Sequence, residues 1–103
     1  MYSKPRVFRK TVGTSGVRER LTTSDLKVPA ITIQALPENT NNVYIGDDQV
    51  TTSNGLELDA LDSITLSAQE LGLGGASISL RDIWLDVDTG AEGVQVLYLE
   101  RVK

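Results

Sequence analysis

The groups that could do chemistry in this chain are carboxylates, hydroxyls and lysine amines, because its 103 residues contain no histidine and no cysteine. Ser-His and Cys-His nucleophiles, histidine general bases and thiolate metal sites therefore have no members to draw on. A Ser-Lys pair needs a lysine near the core, whereas Lys4, Lys10, Lys27 and Lys103 lie in the amino-terminal segment or at the carboxyl terminus. Paired carboxylates of the glycosidase kind stay formally open among 14 acids, yet each acid falls in a turn or at an outward strand position. The expectation is a chain with no catalytic site and no cofactor.

Two stretches look like ligand loops. Asp86-Val87-Asp88-Thr89-Gly90-Ala91-Glu92 has the opening of an oxygen-rich calcium loop. Its glycine comes one position early and no acid stands at the twelfth place, so strand alternation, with Asp86 and Asp88 facing solvent, is the preferred reading. Gly72-Leu73-Gly74-Gly75 is followed by no Lys-Ser/Thr pair and opens no helix. It reads as a flexible turn and not as a phosphate loop.

Charge is divided along the chain. Residues 1–27 balance at +5 and residues 28–103 at −9. Such a chain can dock on copies of itself or on an acidic partner, or fold its basic segment onto its own acidic body. Lys4, Arg6, Phe8, Arg9 and Lys10 interleave bases with an aromatic ring, as surfaces for single-stranded nucleic acid do. The acidic body would repel phosphates, so a protein-contact role is preferred to nucleic acid for these residues and for Arg18 and Arg20. Trp84, in outward phase beside apolar neighbours, joins them as an interface candidate.

The elements that must position these groups are strands. Ile31, Ile33 and Ala35 alternate with Thr32 and Gln34, and Val43 and Ile45 flank Tyr44. With Pro37 and a polar turn at 38–42 between them, Ile31 to Asp48 reads as a hairpin. Alternation returns at Val17–Leu21, an edge strand with outward arginines, and again at 56–60, 63–68, 77–80 and 81–88. Val94 to Leu99 is apolar on both faces, as suits a central strand or one whose outer face meets a partner. Asn54-Gly55 is a strong turn signal, and Gly72, Gly74 and Gly75 make 69–76 a loop.

With turns every 8 to 12 residues and no helical period of useful length, the fold class expected is all-β. The form is a small antiparallel β-sandwich, jelly-roll-like or Ig-like, of seven to eight short strands. Residues 1–27 form an extended basic arm with a possible edge strand, and residues 28–103 form the body. The length suits one core. No apolar run approaches the roughly 20 residues of a membrane-spanning helix.

In this order and spacing, Ile31-Thr32-Ile33-Gln34-Ala35, Asn39-Thr40, Val43-Tyr44-Ile45-Gly46, Ser53-Asn54-Gly55, Leu58 and Asp62-Ser63-Ile64-Thr65-Leu66 form the first part of a recognisable pattern. Asp82-Ile83-Trp84-Leu85-Asp86, Gly93-Val94 and Leu97-Tyr98-Leu99 complete it. Together they resemble small virion structural proteins of tailed bacteriophages. The resemblance implies a β-sandwich made in the host cytoplasm and carried on the particle as a capsid decoration, cement or head-associated protein. Its implied partners are the major capsid protein or other virion proteins and further copies of itself; the acidic body and the lack of a long apolar run argue separately against nucleic acid and membrane as partners. Residues 2–21 would reach to an adjacent subunit. The pattern is broken at Asn41-Asn42, at Ala60-Leu61, where a Pro-Gly-like turn is usual, and by an insertion at 69–80. A tail, baseplate or head-to-tail connector protein is the second expectation. A carbohydrate-binding module, with Tyr44 and Trp84 on one exposed platform, is the third.

Overall fold

Among the described residues, alternating β-branched and polar residues build ten strands: β1 (Tyr2–Val12), β2 (Glu19–Arg20), β3 (Lys27–Val28), β4 (Ala30–Ala35), β5 (Val43–Gly46), β6 (Leu56–Leu58), β7 (Ser63–Ser67), β8 (Ile78–Ser79), β9 (Trp84–Val87) and β10 (Glu92–Val102). The structure is a computed structural model describing residues 2–67 and 78–102. The glycine-rich loop expected at 69–76 lies outside the described residues. One 3₁₀ turn, Leu80–Asp82, precedes β9.

The strands form two four-stranded antiparallel sheets, β1-β10-β4-β7 and β2-β9-β5-β6, with β3 and β8 as a separate two-stranded ladder. Pairing between the sheets' strands is nested. The first strand pairs with the last, β2 with β9, β4 with β7, and β5 with β6. A long hairpin rolled into two sheets in this way is a jelly roll, the first of the two sandwich forms expected. β8 falls in the alternation at 77–80, whereas the two-residue β3 and the long β1, expected as an arm, are the strands beyond that set.

Period-two alternation fills the space between the sheets. Ile31, Ile33, Ala35, Val94 and Val96 from one sheet meet Val43, Ile45, Leu85 and Val87 from the other, all buried. Val12 and Leu21 belong to the same cluster. The basic amino-terminal segment is therefore extended as expected, but it lies along the body. β1 pairs with β10 from Tyr2↔Val102 to Val12↔Glu92. At about 3.4 Å per residue each of these strands is roughly 36 Å long, close to the 41 Å long axis of the molecule. β1 is an edge of its sheet and includes Pro5, which has no N–H to offer a further strand.

Ile31 to Asp48 is not a hairpin. β4 pairs with β10 and β7, whereas β5 pairs with β6 and β9, so residues 36–42 arch from one sheet to the other. Alternation reports which face of a strand is inward, and that is the same whether the next strand lies beside it or across the core. The arch is held by its own polar groups. Asn39, buried, donates from Nδ2 to the carbonyl of Gly93 at 2.8 Å and accepts from the Gly93 N–H at 3.3 Å. Glu92 accepts from the Thr40 N–H at 2.7 Å, the Thr40 hydroxyl at 2.8 Å and the Asn41 N–H at 3.1 Å.

Candidate functional site

Most of the cations on β1 are bonded to acids of the same chain. Arg6 Nε lies 2.6 Å from Glu100, Arg9 Nη1 2.8 Å from Glu38, and Lys10 Nζ 2.7 Å from Glu19. The Lys10 bond, aided by the Gly13 N–H, holds the Glu19 carboxyl below its ordinary range, and Arg9 does the same for Glu38. Phe8 is half-buried against the core, its ring edge-on to Tyr98 at 5.9 Å. Lys4 is exposed opposite Glu100 in the register. These five residues are strung along one strand and do not converge.

Arg18, Arg20 and Trp84 do converge. Arg20 and Trp84 are register partners in β2 and β9, and the Arg20 guanidinium stacks over the indole at 4.7 Å while donating to the Arg81 carbonyl at 2.9 Å. The stacking explains why Trp84 keeps an outward position without being fully exposed. Gly16, Val17, Arg18, Asp48, Gln49 and Trp84 line an open depression of about 490 Å³. Arg20, Asp47, Asp48, Asp82 and Trp84 line a second hollow of about 270 Å³. Val17, 58% exposed, adds an apolar contact at the rim. The site is thus an indole bordered by two open hollows, each lined by one arginine and by at least one carboxylate, with Asp48 common to both.

The acids of the Asp86–Glu92 turn point to three separate places. Asp86 is not solvent-facing as alternation implied. It is buried, because the 13–18 loop folds over it and the Gly16 N–H donates to its Oδ1 at 3.0 Å, with the Val87 N–H at 2.8 Å. Asp88 accepts from the Tyr44 hydroxyl at 3.0 Å. Glu92 faces the 36–42 arch. Burial alone would raise its pKa, but the donors from Thr40 and Asn41 outweigh that and leave it below the ordinary glutamate value. Among the described residues no three acids group in a way that would hold a metal ion.

No family model, curated protein or solved structure matches this chain. The site is accordingly read from its own residues. Tyr44 is 8% exposed and its hydroxyl is bonded to Asp88, so Tyr44 and Trp84 do not form an open two-ring platform.

A second surface was only half legible in the sequence. Across the outer face of the β1-β10-β4-β7 sheet, Val7, Leu97, Thr32 and Thr65 form one row by successive register pairs. Thr32 and Thr65 join their hydroxyls at 2.9 Å. The row towards the arch is Arg9, Gln95, Gln34 and Ser63, with Gln95 donating to Gln34 at 2.6 Å. On the other side lie Pro5 and Leu99, then Ala30 and Ser67. Arg9 is the one charged residue in these rows, and its charge faces Glu38. Val7 is 69% and Leu97 45% exposed. The apolar outer phase of Val94–Leu99 signalled Leu97 and Leu99. Nothing in the sequence placed Val7 beside them.

Proposed function

We propose that this chain is a non-enzymatic virion structural protein that decorates the capsid of a tailed bacteriophage and binds the shell through Arg18, Arg20 and Trp84. The observation that carries the reading is that Arg18, Trp84 and exposed Val17 line one open depression, with Arg20 stacked over the same indole. Tryptophan and arginine are the side chains most enriched at interface hot spots. The resemblance of residues 28–99 to small virion proteins supports the particle as partner. The jelly-roll form is compatible with it, being common among viral capsid domains, though the same fold serves lectins and cupins.

The mechanism is mass action. A protein that binds the assembled shell and not its separated subunits stabilises the shell by its binding free energy. Arginines and carboxylates set together around Trp84 would give the contact an orientation as well as an affinity.

Removing residues 2–21 is a poor test, since Val12 and Leu21 are core residues and β1 carries half of a ladder with β10. Exposed positions serve better. Purified chain should co-sediment with emptied capsids of its phage in a saturable ratio of many copies per shell. Val17→Asp and Arg18→Glu should each weaken that binding at least ten-fold while the thermal melt stays put. Full binding by both variants would overturn the contact, and no binding by the unaltered chain would overturn the capsid reading. A few copies at one vertex or on the tail would favour a connector or tail protein instead.

A further inference from the structure

We infer that the outer face of the β1-β10-β4-β7 sheet is a self-association surface, and that its occupant is a second copy of this chain. The face is stepped. Pro5, Val7, Leu97 and Leu99 stand on β1 and β10, whereas Thr32 and Thr65, smaller and tied to each other, occupy the same rows on β4 and β7. A hollow of about 280 Å³ lies beside Val7 and Leu97, with Thr32 and Gln34 in its lining.

A two-fold axis parallel to the strands, passing between β10 and β4, lays the tall half of each copy on the low half of the other. Leu97 then meets Thr32 of the second copy, and Val7 meets its Thr65. Each contact occurs twice, as an isologous interface requires. Two sheets packed in this way lie about 10 Å apart with their mean strand directions aligned.

Charge selects the same occupant. The chain carries −4 overall, so two copies repel through most of their surfaces. In the three rows, from that of Pro5 and Leu99 to that of Arg9 and Ser63, the one charge is Arg9, already opposite Glu38, and these rows present nothing that a copy of themselves would oppose. Addition of a strand at the β1 edge is the competing mode, and Pro5 with its basic neighbours disfavours it.

Size sets the strength. Four strands about 4.8 Å apart and five residues deep give a footprint of roughly 330 Å², below the ~800 Å² per partner of a stable complex. The free dimer should therefore be weak, with a dissociation constant on the order of 100 µM. Copies held side by side on a surface would meet at a much higher effective concentration.

Sedimentation velocity from 10 µM to 1 mM tests the inference. The unaltered chain should pass from monomer to dimer, and more readily at 500 mM than at 50 mM salt, because screening removes repulsion between the two negative copies. Leu97→Glu should weaken the dimer at least ten-fold, while Arg18→Glu, away from the face, should leave it unchanged or only slightly weaker at 500 mM salt, where the added repulsion is screened. Thr32→Arg, on the low half, should act like Leu97→Glu and replaces it if that variant fails to fold. As the chain has no cysteine of its own, Leu97→Cys mixed with Thr32→Cys should give a disulfide-linked pair faster than either alone. A monomer at 1 mM, a dimer indifferent to both face variants, or no preference for the mixed pair would each overturn the proposal. Capsid binding by Arg18 and Trp84 is read separately, so either conclusion can fail without the other.

Discussion

The side-chain amide of Asn39 makes both hydrogen bonds of a strand pair to the backbone of Gly93, donating to its carbonyl and accepting from its N–H. An asparagine thus takes the place of a missing strand where the chain crosses between sheets, 54 residues away in sequence.

Asn39→Ala leaves the Gly93 N–H buried without that acceptor and its carbonyl with only the Leu36 N–H. The expected loss is about 2–3 kcal/mol, read from urea unfolding. Asn39→Asp keeps the acceptor but sets a carboxylate against a carbonyl, so it should lose at least as much. A change under about 0.5 kcal/mol in both would show that the pairing is incidental.

Gly93 faces β1 at close range. A Cβ there would sit 2.0 Å from the Lys10 carbonyl oxygen and 2.7 Å from the Thr11 Cα. Gly93→Ala should force β1 off β10 near its end and cost about 3 kcal/mol, at the upper end of overpacking effects. Hydrogen exchange should show faster exchange at residues 8–12 than in β5 and β9. Uniform loss across both sheets would contradict a local separation.

Leu61 has a left-handed backbone, φ 71°, and is 60% exposed. Its N–H and carbonyl are both used, to the Ala35 carbonyl and the Gln34 side chain, which holds the turn in place. A left-handed leucine costs about 1–2 kcal/mol, of which glycine recovers most and returns part as unfolded-chain entropy. Leu61→Gly should stabilise by about 0.5–1 kcal/mol, seen as a higher melting temperature. A lower melting temperature would mean that the leucine side chain itself is in use.

Glu19, Glu38, Glu92 and Asp25 are all held below their ordinary values in the folded chain. For such groups the unfolded state binds more protons between the two pKa values, so stability rises with pH there. Their contribution is complete above about pH 4.5, the ordinary glutamate value, and is lost as pH falls through the folded values. Tyr44 works at the other end. Burial, then its bond to Asp88, raises the phenol, so its contribution is present below about pH 10 and is lost as pH rises through the folded value. Melting temperature against pH should show a plateau from about pH 5 to pH 9, and Glu92→Gln should flatten the acid side. A constant melting temperature down to pH 3 would refute the acid limb.

Strand positions and inward faces were legible because period two is a local signal. Ile31, Ile33, Val43, Ile45, Val94 and Val96 are all core as alternation implies. What lay beyond local reading came from distant chain. Asp86 is covered by Gly16, 70 residues away, and Arg6 is neutralised by Glu100, 94 residues away. For the same reason five of the eight residues chosen for contact turn out to lie along β1, three of them in internal ion pairs. Arg18, Arg20 and Trp84 meet because β2 and β9 are neighbours, a pairing that alternation does not encode.

Pro5 has a consequence for how the chain behaves before it reaches any partner. A long, flat edge strand is a template on which newly made copies stack without limit. In β1 the row of free donors is interrupted at Pro5, and Lys4, Arg6, Arg9 and Lys10 follow one another around it. Growth by strand addition is thereby checked, while a face-to-face pair closes on itself. Such a protein could be made in large numbers at high concentration and stay dispersed.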